Sequence, residues 1–261
     1  MCHGLSPDHP EVPITKEYIY EIMSFCKKSG FTSINYNDLE GFMYHGSSLP
    51  SKPIMFDFDH PMLNILKGIA PIMSEFGYVG NIFVNTGFID QKREEDLKQH
   101  NRTDIMSWDQ VGEIIDLGWH LGAHTVTHPN LSKLVENDPD GKKIAWELDE
   151  SNYILHKQLG IKAKDFAFTG TSWSQVAEDA VKERYRFGRL WIIGSDYQAN
   201  GEVIKFSQLA GVECDDEDDG GPPFSARFIN KKTHPYRLPS MDIQYPLMYG
   251  IDKFKRYLDN A

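Results

Sequence analysis

Trp119-His120-Leu121-Gly122-Ala123-His124-Thr125-Val126-Thr127-His128-Pro129 is the stretch on which the reading of this chain turns. An apolar run ends in two imidazoles four residues apart. On one turn of helix, residues i and i+4 share a face, so His124 and His128 can aim ring nitrogens at one ion, as paired histidines do in helical zinc motifs. Two histidines leave a catalytic metal short of a ligand. A carboxylate is the usual third, and Phe56-Asp57-Phe58-Asp59-His60-Pro61 is the best supplier. It follows Pro53-Ile54-Met55-Phe56, an apolar run that reads as a buried strand. Side chains alternate along a strand, so Asp57 and Asp59 leave on one face where the strand gives way to a loop. One can bind metal while the other takes a proton.

Working outward, strand and helix alternate. Helical spacing runs over residues 15–28 with Thr15 as N-cap, over 63–76, from the Ser107 cap to about 117, over 142–159 with Gly160 as stop, and over 175–183. Strands are expected at 31–36, 79–85, 119–123, 165–168 and 187–193. The charged segment Gln91 to Arg102 reads as a solvated insertion, and Asp215 to Asp219 as an acidic loop. Beyond Gly201 the pattern weakens, with one last helix at 251–258. This alternation, without internal repeats, implies α/β architecture on a parallel sheet, either a barrel or an open doubly wound sheet. At 261 residues the chain fits one domain, 1–261, with residues 1–50 as an N-terminal extension packing on the barrel and 201–261 as a divergent C-terminal part.

The 27 basic against 38 acidic residues, a net charge of -11, argue against nucleic acid as partner. Cys2, Cys26 and Cys214 are too few and scattered for a disulfide framework. The first ten residues have no signal-peptide character, and no run reaches the length of a membrane span. The expectation is a cytoplasmic protein without membrane or nucleic-acid partners, acting on a small or soluble substrate, with homo-oligomerisation left open.

Asp57-Phe58-Asp59-His60-Pro61, with Met106-Ser107-Trp108-Asp109-Gln110 leading into Gly118 to Leu131, resembles the first two motifs of the polysaccharide deacetylases, the NodB-like domain of carbohydrate esterase family four. The similarity runs from roughly Pro13 through Ile193. It implies a distorted (β/α)7 barrel, a divalent metal, most simply Zn²⁺, held by one aspartate and both histidines, and hydrolysis of an N- or O-acetyl group. Carried onto this chain, it makes Asp59, His124 and His128 ligands and Asp57 the base. The family's aspartates are adjacent whereas Phe58 separates these two, so the roles of Asp57 and Asp59 can be exchanged. The resemblance further implies a basic residue at Arg189 that orients the catalytic aspartate, an oxyanion donor at the Gly170 amide and a pocket wall at Trp173. The terminal Leu-His-Asp-like motif of the family has no counterpart, which leaves His234 or His60 to protonate the leaving group, or neither; His60 is also a candidate substrate contact.

The chemistry needs these groups. A metal with three protein ligands keeps a position open for water and lowers its pKa toward about 7, and an amide leaving group needs a proton donor within hydrogen-bond reach. The first expectation is a metal-dependent deacylase acting on a soluble, carbohydrate-like substrate. Hydrolysis of another C–N bond, as in allantoinase-like relatives, and a non-catalytic metal- and sugar-binding barrel are the rivals.

Overall fold

The structure, a computed structural model, describes residues 1–90 and 105–261; the charged segment Gln91 to Arg102, expected as an insertion, lies outside them. At the centre is a parallel sheet, six-stranded among the described residues. We number its strands β1 (Asp57–Asp59), β2 (Asn81–Val84), β3 (His120–Ala123), β4 (Asp165–Ala167), β5 (Phe187–Ile192) and β6 (Leu238–Met241). They pair in sequence order from β1 to β6. Parallel neighbours need crossovers, and helices supply them: α1 (Lys16–Lys28) and α2 (Tyr36–Tyr44) before the sheet, then α3 (Ala70–Glu75), α4 (Trp108–Asp116), α5 (Lys142–Leu159) and α6 (Gln175–Lys182), with α7 (Ile251–Asp259) at the end. The curled sheet with helices around it is the NodB-like (β/α)7 fold that the sequence motifs implied.

Local chemistry explains the elements. Thr15 caps α1, its hydroxyl accepting from the Tyr18 amide at 3.2 Å, and Ile19, Ile22, Met23 and Cys26 face inward. Ser107 and Gln110 cap α4 reciprocally. Gly160 ends α5 with φ 71°, a left-handed conformation that glycine adopts without strain. Each fully buried Ile or Leu on these faces contributes about 1.5–3 kcal/mol.

Three expectations are corrected. The apolar run at 53–56 is not the strand that carries the aspartates: Pro53–Ile54 pairs outside the main sheet with Thr32–Ser33, and Asp57, Phe58 and Asp59 themselves form β1, all buried. Alternation then sends both carboxylates to one face, while the Phe58 ring packs on Trp119 at 5.0 Å. The second correction is His124 to His128, which follows β3 as a loop rather than a helix; Thr125 and His128 have φ 65° and 59°, which no helix allows. The third is β6, absent from the sequence reading because Pro239 and Ser240 interrupt its apolar character.

The sheet's edges, β1 and β6, are joined through residues 1–2. The Cys2 amide donates to the Asp57 carbonyl at 3.0 Å and the Asp59 amide to the Cys2 carbonyl at 3.3 Å. On the other side the Met1 nitrogen donates to Met241 at 2.7 Å and the Ile243 amide to Met1 at 3.1 Å. The start of the chain therefore inserts between the edges instead of only packing outside them. Among the described residues, no helix is long and apolar enough to cross a membrane.

Candidate metal centre and active site

The ends of β1, β3, β4 and β5 converge on one buried cluster. Asp57 lies deeper in the sheet interior. Its Oδ2 accepts from the Tyr36 hydroxyl at 3.0 Å and from Ser240 Oγ at 3.4 Å, and its Oδ1 from Asn81 Nδ2 at 3.0 Å. Arg189 Nε is 3.7 Å from the same Oδ2. Burial nevertheless raises the Asp57 pKa, outweighing the arginine's opposing effect. Asp59, two residues further along the strand, is held by Arg189 through a hydrogen bond from Nη2 to Oδ1. Burial opposes its ionisation, but Arg189, then His124 and His3, prevail and hold the carboxyl down at about 2. Arg189 is itself buried, over the Phe83 ring at 5.0 Å.

Beside Asp59 three imidazoles meet. His60, His124 and His128 each offer a ring nitrogen, all within 4.8 Å of one another, and their ring centroids are 4.9 to 5.0 Å apart. Asp59 stands next to this group, its Oδ2 3.9 Å from His124 Nε2. The expected trio was Asp59, His124 and His128; the clustered trio has His60 in the third place. Arg189 holds Asp59 Oδ1 while Oδ2 faces His124, and His60, with φ 66°, leaves the strand in a left-handed turn. Such a conformation is uncommon outside glycine and collects at functional sites; His60 and His128 share it.

The residues fit a divalent ion. His124 Nδ1 is 2.9 Å from the Ala167 carbonyl, so the proton sits there and Nε2 carries the lone pair. That Nε2 is buried and has no hydrogen-bond partner among the described residues. Burial, first, lowers the His124 pKa to about 4 and keeps the ring neutral, as a ligand must be.

The loop that carries the pair is braced from two sides. Asn85 Nδ2 donates to the carbonyls of His124, Thr125 and Val126 at 3.0 to 3.3 Å. From α5, buried Glu147 accepts from the amides of Val126 at 2.8 Å and Thr127 at 2.9 Å, and from the Thr127 hydroxyl. Sequence reasoning missed both residues. For Glu147 a signal existed: it lies on the stripe of Ile144, Leu148 and Ser151, where a carboxylate is buried only with partners.

The remaining expected residues divide. Thr169 donates its hydroxyl proton to the Pro129 carbonyl, which puts the Thr169-Gly170 turn beside the histidine loop. His234 is elsewhere: it precedes β6 at the opposite end of the strands, 3.9 Å from Glu178 and partly exposed. Trp173 follows the carboxyl end of β4 but shares Glu178 with His234. It is buried, its Nε1 donates to Glu178 at 2.9 Å, and Arg237 lies over its ring. Neither ring contacts the three imidazoles: His234 stands where β6 begins, at the other end of the strands, and Trp173 turns its indole to Glu178 on α6. His120 also lies at the far end, 2.7 Å from Asp165. His3, which sequence reasoning passed over, does adjoin the cluster: its ring stacks on His60 with centroids 5.4 Å apart.

The family model for polysaccharide deacetylases matches residues 46–186, and the chain belongs to that family. Among solved structures it is similar to the deacetylase PplD of Streptococcus pyogenes, determined with acetate, at 14% identity and a TM-score of 0.70 over 98% of this chain and 94% of that one. IcaB from Ammonifex degensii matches at 17% identity and TM-score 0.62, over 72% and 81% of the two chains. A de-N-acetylase from Aggregatibacter actinomycetemcomitans matches at 14% and 0.67, over 98% and 96%. At these identities the likeness is one of fold. None of the curated proteins compared matches the chain.

Proposed function

We propose that this protein is a metal-dependent hydrolase that removes an N-acyl group, foremost N-acetyl, from a carbohydrate, with His60, His124 and His128 holding one divalent ion and Asp59 serving as base. The observation that carries the proposal is the convergence of three buried or half-buried imidazoles beside a carboxylate kept ionised by a buried arginine. An ion bound there would acidify water and polarise the acyl carbonyl; three nitrogen donors suit zinc.

The chain's own residues divide the remaining work. Asp59 has Oδ1 tied to Arg189, and Oδ2, on the His124 side, is the oxygen left to accept the proton of the attacking water. Arg189 positions Asp59 and keeps it charged. Asp57 has both oxygens engaged by Tyr36, Ser240 and Asn81, so it supports Arg189 from below rather than meeting substrate. Relative to the first expectation this moves the base from Asp57 to Asp59 and gives the ligand place of Asp59 to His60, matching the family's adjacent pair to Asp59 and His60. The Gly170 amide remains the candidate donor to the developing oxyanion, an interaction worth about 2.7–4 kcal/mol when correctly aimed. Membership of the family and the acetate in the PplD structure support acetyl as the acyl group. The thiols of Cys2, Cys26 and Cys214 are free, which favours a reducing compartment.

The test is release of acetate from a panel of N-acetylated sugars by metal-loaded protein. The reading expects release that a chelator abolishes and zinc restores. Metal-loaded protein that frees no acyl group from any sugar would contradict it.

A further inference from the structure

Cleaving an amide leaves an amine nitrogen that cannot depart as an anion, so some group must give it a proton. His60, His124 and His128 are used as ligands in the proposed reaction, and His120 and His234 lie at the opposite end of the strands. His3 is differently placed. The backbone bridge of Cys2 to Phe58 carries it along β1 to the end where the imidazoles gather. There its ring stacks on His60 at 5.4 Å and meets the edge of Trp191 at 4.9 Å. Nδ1 is 3.4 Å from Asp242 Oδ2 and 3.3 Å from Gln244 Oε1. Asp242 is buried and itself anchored, Oδ2 accepting from Trp191 Nε1 at 2.7 Å and Oδ1 from the Gln244 amide at 2.7 Å. A carboxylate at one nitrogen of an imidazole, with that carboxylate held in turn by the fold, is the arrangement that aims the other nitrogen. The side chain is 24% exposed, enough to be reached by a substrate.

We infer that His3, oriented by Asp242, is the proton donor to the leaving nitrogen; the inference rests on the hydrolase reading above. Water adds to the acyl carbon and gives one proton to Asp59; the second stays on the acyl product and passes to solvent as that product leaves as carboxylate. The C–N bond then breaks, its electron pair passes to nitrogen, and nitrogen takes the Nε2 proton of His3. Carboxylate and amine leave, and exchange with solvent returns a proton to His3 and removes one from Asp59.

His3→Gln and Asp242→Asn, compared with the unaltered zinc-loaded protein on an N-acetyl sugar and on an activated aryl acetate, test the assignment. The aryl oxide leaves without a proton, so each variant is expected to lose about 100-fold or more on the amide and no more than about threefold on the ester. Bound zinc per chain should not change. Equal losses on both substrates, or none on either, would overturn the role of His3, and zinc lost from His3→Gln would make it a ligand instead. If the unaltered protein cleaves neither substrate, the hydrolase reading fails and takes this inference with it.

Discussion

A carboxylate brings a negative charge to a divalent ion, whereas an imidazole brings none, so the identity of residue 60 sets the charge of the whole centre. With His60, His124 and His128 as neutral ligands, Asp59 is the nearest anion, and Arg189 offsets part of that charge. The aspartates of β1 were legible from the sequence as a pair on one face, because alternation along a strand requires it. Their roles were not legible: period-two spacing says nothing about depth, and depth decides that Tyr36, Asn81 and Ser240 saturate Asp57 while Asp59 reaches the histidines. Replacing each in turn separates them. Asp59→Asn should keep zinc and lower turnover by about 100-fold or more, the usual range for a general base, whereas Asp57→Asn should lower it far less. Steady-state kinetics on an N-acetyl sugar checks this, and the reverse order would return the base to Asp57.

Among the elements, α5 and α6 each bury a carboxylate whose partners come from elsewhere in the chain. Glu147 of α5 grips the histidine loop through two amides and a hydroxyl. Glu147→Ala should weaken zinc affinity by about 10- to 100-fold, as loss of a ligand-orienting partner does, with the far-ultraviolet circular dichroism unchanged; competition with a fluorescent chelator measures it. Glu178 of α6 joins Trp173, Lys182 and Arg237. Burial opposes its ionisation, yet Arg237 and Lys182 prevail and lower its pKa below the ordinary carboxylate value. A carboxyl with a lower pKa folded than unfolded stabilises fully above the unfolded value, about 4.3, and progressively less as pH falls below it. The melting temperature of the Glu178→Gln variant should therefore fall less between pH 5 and pH 3 than that of the unaltered protein. Helix boundaries were readable because caps such as Ser107 and stops such as Gly160 are local signals. The histidine loop was misread as helix because spacing four apart is shared by helices and by turns held from outside.

At the scale of the whole molecule, alternating strands and helices were enough to specify a parallel α/β fold, and two motifs to specify its family. That the sheet curls into a barrel was implied by the resemblance to that family; how its edges meet was not. Residues 1–2 bridge β1 and β6 by backbone hydrogen bonds alone, and so short a segment carries no periodicity. The same insertion brings His3 to the site and makes the start of the chain part of its chemistry. All of this depends on one ion being held by His60 together with the two histidines of the loop. Zinc per chain, measured by elemental analysis on the unaltered protein, His60→Ala and Asp59→Asn after dialysis against trace zinc, tests that most directly. The account predicts one zinc in the unaltered protein and in Asp59→Asn, and little in His60→Ala; zinc kept by His60→Ala and lost by Asp59→Asn would contradict it.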